Sequence, residues 1–162
     1  MHATITKVRN ATVTLRPLRS GDTEAVSAAL DRLGTRARLL RGTDGAVGNG
    51  ELALFATADS DHHALIAYDG RDPIGIARLT RRSSDRAFAD IVIVVTEEWK
   101  GRGLEYALLE RVAGDARAVG VSRLCVSMGA ERRSDLARLT RATSIERRVF
   151  GGGRVEVLRR AA

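Results

Sequence analysis

The chain is poor in the residues that staple or specialise small proteins. Cys125 is the only cysteine in 162 residues, so no internal disulfide can form. Leu124 and Val126 flank it, and it reads as a buried thiol on a strand rather than a nucleophile. Asp61-His62-His63 has the look of a metal cluster, but His2 is the only other histidine. A metal site needs three or four converging ligands. No metal is expected, and the stretch reads as a loop entering a strand. Aromatic residues are 4% of the chain, too few for a base-stacking platform, and a nucleic-acid partner is not expected. No apolar run approaches the ~18 residues of a spanning helix, so no membrane partner is expected. Residues 1–9 mix polar and apolar types and lack a signal-peptide core. The expected compartment is the cytoplasm.

What remains has ordinary globular composition, 44% hydrophobic and 29% charged. A chain of this length buries about 70% of its surface on folding, enough for a core without staples. Residues 1–162 therefore read as a single domain. The charge is one-sided: 27 basic against 20 acidic residues, a net +7, nearly all of it from arginine. Such an excess attracts polyanions, phosphorylated cofactors or acidic partners. Biased coding towards Ala, Arg and Gly explains it equally well, and composition does not choose.

Apolar spacing predicts the elements. Residues 12–18 (TVTLRPL) alternate as a strand, and Ser20 or Asp22 caps a helix reaching about Leu33. Residues 35–50 read as a short helix and a glycine-rich loop, and 51–57 as another short helix. Arg36, Arg38 and Arg41 in that stretch suit either an acidic ligand or a solvated helical face. Three strands follow, at 64–68, 74–79 and 88–95, the first two joined by an Asp69-Gly70 turn. Leu104, Leu108, Val112 and Ala116 then recur at helical spacing to about Gly120. A strand at 121–128, a helix at 134–142 and a hairpin at 145–158 around Gly151-Gly152-Gly153 complete the chain. This order is an α/β sandwich on a mixed, mostly antiparallel sheet flanked by helices.

The junction Thr96-Glu97-Glu98-Trp99-Lys100-Gly101-Arg102-Gly103-Leu104-Glu105 joins the longest strand to the best helix. Two glycines allow a tight turn and close backbone approach to a ligand. A helix N-terminus offers unpaired N–H groups to a phosphate, and Lys100 and Arg102 add charge. The sequence is neither a Walker loop nor a full dinucleotide fingerprint. A plain strand–helix turn has the same spacing.

This junction and the element order resemble the GNAT superfamily of N-acetyltransferases over residues 12–158. That family's acetyl-CoA loop reads Gln/Arg-x-x-Gly-x-Gly/Ala, and Lys100, Gly103 and Glu105 stand at its three defined positions. The similarity is greatest to actinobacterial protein lysine acetyltransferase domains, through HALIA (63–67), ADIVIVV (89–95), WKGRGL (99–104) and Glu146-Arg147-Arg148. The resemblance implies a GNAT fold and an acetyl-CoA-dependent N-acetyltransferase. The acetyl group would pass directly to an amine, either a protein lysine or a small amine, and a homodimer is compatible with it. It implies that the main chain of Ile93, Val94 and Val95 pairs with the pantetheine arm. It also implies that Lys100, Gly101, Arg102, Gly103, Leu104 and Glu105 hold the pyrophosphate. Asp90 stands where related lysine acetyltransferases carry a glutamate base, and a lysine amine of pKa ~10.4 needs one. A polar or ion-paired role for Asp90 is the structural alternative.

Three departures from the family pattern stand out. Lys100 replaces Gln or Arg but keeps a positive charge. Glu105 replaces a small residue; a carboxylate about 5 Å from a phosphate costs ~3 kcal/mol at an effective dielectric near 20, and less than 1 when water screens it. An acid in a helix's first turn also stabilises the helix by itself. Arg132 and Ala142-Thr143-Ser144 replace the Asn and the Leu-Gly-Phe of relatives, and neither Tyr68 nor Tyr106 matches the family's tyrosine acid. The other reading is thus a catalytically degenerate GNAT-like module that binds acyl-CoA weakly or binds a protein partner.

Overall fold

A computed structural model describes residues 2–33, 58–127, 145–149 and 155–159. The chain runs β1 (Thr4–Val8), β2 (Ala11–Pro17), α1 (Thr23–Leu33), β3 (His62–Asp69), β4 (Asp72–Arg81) and β5 (Phe88–Val95). A 3-10 turn (Glu97–Trp99), α2 (Leu104–Ala118), β6 (Arg123–Ser127), β7 (Ile145–Val149) and β8 (Val155–Arg159) follow. The eight strands form one sheet in the order β1-β2-β3-β4-β5-β6-β8-β7. Every neighbouring pair is antiparallel except β5 with β6, which is parallel. The mixed, mostly antiparallel sheet expected from the sequence is the one observed.

The expected strands appear within a few residues of their predicted limits, and the 88–95 run matches β5 end to end. Strand β1 is the exception, for residues 1–9 give no strand signal. The reason is its position at the sheet edge, where only Val8 is buried and Ile5 is 72% exposed. An edge strand with one buried side chain carries no period-two pattern for the sequence to reveal. The helix and loop expected over 35–50, the helices expected over 51–57 and 134–142, and the 151–153 turn lie outside the described residues.

Alternation along β5 divides the core into two faces. Ala89, Ile91, Ile93 and Val95 point towards α2 and pack with Leu104, Leu108, Leu109, Val112, Ala113 and Ala116. Val94, with Val92 at its margin, points towards α1 and packs with Ile76, Ile66, Val26 and Ala29. Helix α1 begins behind Asp22, as the capping signal indicates. The Asp22 carboxylate turns back to accept the Arg19 N–H at 3.0 Å and to pair with Arg16 at 3.3 Å. Cys125 is 1% exposed on β6, as its apolar neighbours indicate.

One glycine sets the distance between α2 and the sheet. At Gly75 on β4, a Cβ would meet Val95 Cγ1 at 3.0 Å and Leu104 Cδ2 and Leu108 Cδ1 at 3.3 Å. A β-bulge beside it, where Ala67 pairs Gly75 but Tyr68 pairs Pro73, leaves Ile74 as the extra residue. The bulge lets Ile74 and Gly75 both serve the α2 side, and the Ile74 carbonyl accepts the Thr96 N–H at 2.9 Å. Gly75→Val forces branched carbons into this contact and is expected to destabilise the fold by about 1–3 kcal/mol. Thermal unfolding checks this, and an unchanged midpoint would show that α2 yields freely.

Candidate active site

The loop between β5 and α2 is built by local rules. After Val95 the chain makes one 3-10 turn, in which the Trp99 N–H reaches the Thr96 carbonyl and the Lys100 N–H reaches that of Glu97. Trp99 is 7% exposed and anchors the turn in the α2-side core. Gly101 (φ +66°) and Gly103 (φ +96°) then adopt left-handed conformations that a Cβ disfavours. Gly103 is the N-cap of α2, and no side chain caps the helix there. The first-turn N–H groups beyond it have no intrahelical acceptor by the geometry of an α-helix. The sequence motif thus lies where it was expected, as a glycine-shaped helix N-terminus at the C-terminal end of β5.

The same end of β5 is paired on one side. Gly75, Ile76 and Ala77 of β4 pair Val95, Val94 and Ile93. The parallel ladder with β6 covers Phe88 to Val92, and among the described residues no β6 partner continues it to Ile93, Val94 or Val95. Peptide groups on that side are directed where an extended ligand could add to the strand, leading away from the glycine loop.

Five side chains of the loop and the first turn of α2 set the charge there. Lys100 is paired with Glu97. Arg102 lies over the Trp99 ring, 5.6 Å from its centroid. Glu98 is exposed, and its own backbone N–H holds its carboxyl below the usual range. Glu105, in the first turn of α2, is only 4% exposed, so it packs inward rather than standing in solvent over the helix end. A further cation comes from a place the sequence reading passed over. Arg9, in the β1–β2 turn, donates Nη2–H to the Gly101 carbonyl at 3.0 Å.

Asp90 lies on the α1 face of β5, opposite Thr80 of β4 and Cys125 of β6. Arg82 grips it with a two-pronged fork: Nε to Oδ2 at 2.8 Å and Nη2 to Oδ1 at 2.7 Å. The Arg82 guanidinium also lies 3.9 Å from the centroid of the Phe88 ring. Arg78, two residues along β4 from Thr80, is partly buried on the same face. Burial pulls its guanidinium below the usual arginine range, although it stays charged at neutral pH. Asp90 therefore has the ion-paired environment that the structural alternative anticipated, and Arg82 is the residue sequence reasoning missed. Arginine is so frequent in this chain that no single one stood out.

The histidine pair separates. His62 Nδ1 lies 2.9 Å from Asp59 Oδ1, while His63 Nε2 lies 2.8 Å from Asp115 Oδ2 on α2. Consecutive strand residues face opposite sides, so the two rings serve different contacts. Asp59 is held below its usual range first by the Asp61 backbone N–H, and Asp61 by the Arg86 fork. Among the described residues no group of three His, Cys, Asp or Glu side chains is arranged to hold a metal, and no helix is long and apolar enough to cross a membrane.

The Arg82 and Asp90 side chains are 36% and 32% exposed, so solvent screens their attraction. A double-mutant cycle of Arg82→Ala and Asp90→Ala is expected to give a coupling of about 0.5–1 kcal/mol in urea unfolding. A coupling of zero would show that the fork does not persist in solution.

Residues 37–137 match the model of the acetyltransferase (GNAT) family. The whole fold is similar to the GNAT domain of S. lividans PAT, at 19% identity and a TM-score of 0.82 over 98% of this chain and 97% of that one. It is also similar to a cAMP-binding acyltransferase from Mycobacterium smegmatis, at 18% identity and a TM-score of 0.67. That match takes in 99% of this chain but 48% of the mycobacterial protein, so this chain spans about half its length. The PaiA N-acetyltransferase of Thermoplasma acidophilum, solved in complex with coenzyme A, matches at 10% identity and a TM-score of 0.69 over 92% and 99% of the two chains. With the family model matching well over half of its residues, the chain belongs to the GNAT acetyltransferase family.

Proposed function

We propose that the chain is an acetyl-CoA-dependent N-acetyltransferase that moves an acetyl group directly to an amine. The observation that carries this reading is the continuity of two half-satisfied backbone elements. The end of β5, paired on one side among the described residues, leads through a 3-10 turn into a helix N-terminus shaped by two left-handed glycines. Acetyl-CoA, when bound, supplies an activated thioester, a peptide-like arm and a pyrophosphate. The arm fits the main chain of Ile93, Val94 and Val95, and the pyrophosphate fits the N–H groups from Gly101 to Glu105. Lys100 and Arg102 supplement the helix end with formal charge. A single domain over residues 1–162 is enough for this site.

The direction of the strand then orders the chemistry. From the loop, the arm would run backwards along β5, towards Asp90, which lies three residues and about 10 Å from Ile93. Asp90 takes the proton of the attacking amine, through a water because its side chain is short. This role requires Arg82 to yield one carboxylate oxygen while the acceptor is bound. A cationic acceptor, such as a protein lysine or a small polyamine, is suited to that exchange because it replaces the guanidinium charge.

The fork on Asp90 also favours a second reading, a GNAT-like module that keeps the cofactor fold without the chemistry. Calorimetric titration of acetyl-CoA separates the outcomes. Saturable binding at micromolar strength is expected, weakened in Gly103→Ala because the left-handed φ resists a Cβ. Glu105→Gln removes one negative charge from the first turn of α2 and is expected to tighten binding severalfold. An amine screen with Asp90→Ala as control then tests turnover. Binding without turnover would favour the module, and no binding at millimolar acetyl-CoA would remove the enzyme reading and leave only a module that binds a protein partner.

A further inference from the structure

The strongest unassigned feature is the β1–β2 turn. Val8 pairs Ala11, which closes a two-residue turn on Arg9 and Asn10. Arg9 has φ +52°, the only positive φ at a non-glycine position among the described residues. Hairpins of this length favour Gly, Asn or Asp at such a position, because a larger L-residue pays a steric penalty there. The turn itself therefore gives no reason for an arginine. The reason lies at the far end of the side chain.

The Arg9 side chain reaches a loop 92 residues away and donates to the Gly101 carbonyl at 3.0 Å. Val8, beside it, contributes the atom nearest to a Cβ built on Gly103, Cγ1 at 3.9 Å. The turn is thus seated directly on the glycine loop. The other two cations there are already engaged, Lys100 with Glu97 and Arg102 with the Trp99 ring. Arg9 has no carboxylate partner among the described residues, and it is exposed. A guanidinium has five N–H donors in a fixed fork, and the bond to Gly101 uses one.

Resting on the cofactor reading above, we propose that Arg9 is a phosphate-binding residue of the acetyl-CoA site, delivered to the glycine loop by the β1–β2 hairpin. The bond to Gly101 orients the fork, and its remaining donors meet a phosphate oxygen beside the N-terminus of α2. A planar guanidinium is matched to phosphate in charge and geometry. The backbone conformation at Arg9 is the cost of placing that fork. The cofactor offers two phosphate sources, the pyrophosphate and the 3′-phosphate of its ribose.

Arg9→Gly provides the test because it separates folding from binding. Glycine accepts the φ of +52° without strain, so the unfolding midpoint should hold or rise. Affinity for coenzyme A in calorimetric titration should nevertheless fall roughly tenfold, and Arg9→Lys should recover part of it. Parallel titrations with 3′-dephospho-coenzyme A identify the source. A loss confined to coenzyme A assigns Arg9 to the 3′-phosphate, and equal losses assign it to the pyrophosphate. Wild-type affinity in Arg9→Gly for both ligands would overturn the proposal while leaving the cofactor site intact. Absence of coenzyme A binding by the wild-type chain would overturn the cofactor site and this proposal together.

Discussion

The site depends on how closely α2 approaches the sheet. Leu104 and Leu108 are fully buried against β4 and β5, and they fit there because Gly75 has no side chain. The N-terminus of α2 is thereby held at the level of Val95, and the loop from Thr96 to Gly103 has a fixed gap to cross. Trp99 fills part of that gap, and the left-handed Gly101 and Gly103 absorb the change of direction. The backbone donors of the helix end are then positioned by the core itself. A site made of main-chain groups can be no better placed than the packing beneath it.

Among the described residues, six arginines are spread over separate ion pairs. Arg16 pairs with Asp22, Arg32 with Asp72, Arg82 with Asp90, Arg86 with Asp61, Arg111 with Asp115 and Arg123 with Asp85. These pairs are mostly near the surface, where each contributes little to stability. Their larger effect is on the field around the molecule. Among the described residues Arg9, at the glycine loop, is a cation with no carboxylate partner.

The sequence reveals the elements whose periodicity comes from burial on a single face or on both. FADIVIVV is buried on both sides and β-branched, and it marks β5 without ambiguity. Leu104, Leu108, Val112 and Ala116 mark the buried stripe of α2 in the same way. Strand β1 escapes because an edge strand with one buried residue has no stripe to show. The glycine loop is legible because Gly101 and Gly103 are demanded by φ, which leaves a signature in residue type. Arg82 and Arg9 are not legible because residue type alone does not give their contacts, Arg82 closing on Asp90 eight residues away and Arg9 reaching 92 residues along the chain to Gly101. No local pattern distinguishes either from the many arginines around it.

Glu105 and Asp90 sit on opposite sides of the sheet. Glu105 belongs to α2, which begins beyond the C-terminal end of β5. Asp90 belongs to the α1 face, farther back along the same strand. Glu105 is buried in the first turn of α2, whereas Asp90 is held by the Arg82 fork. Arg82 pairs with Asp90 by direct contact, whereas Lys100 and Arg102 lie on the loop that precedes Glu105, and Arg9 reaches that loop from the β1–β2 turn. In the proposed mechanism cofactor affinity and proton transfer therefore answer to different residues, and a substitution at one acid would leave the other's role in place.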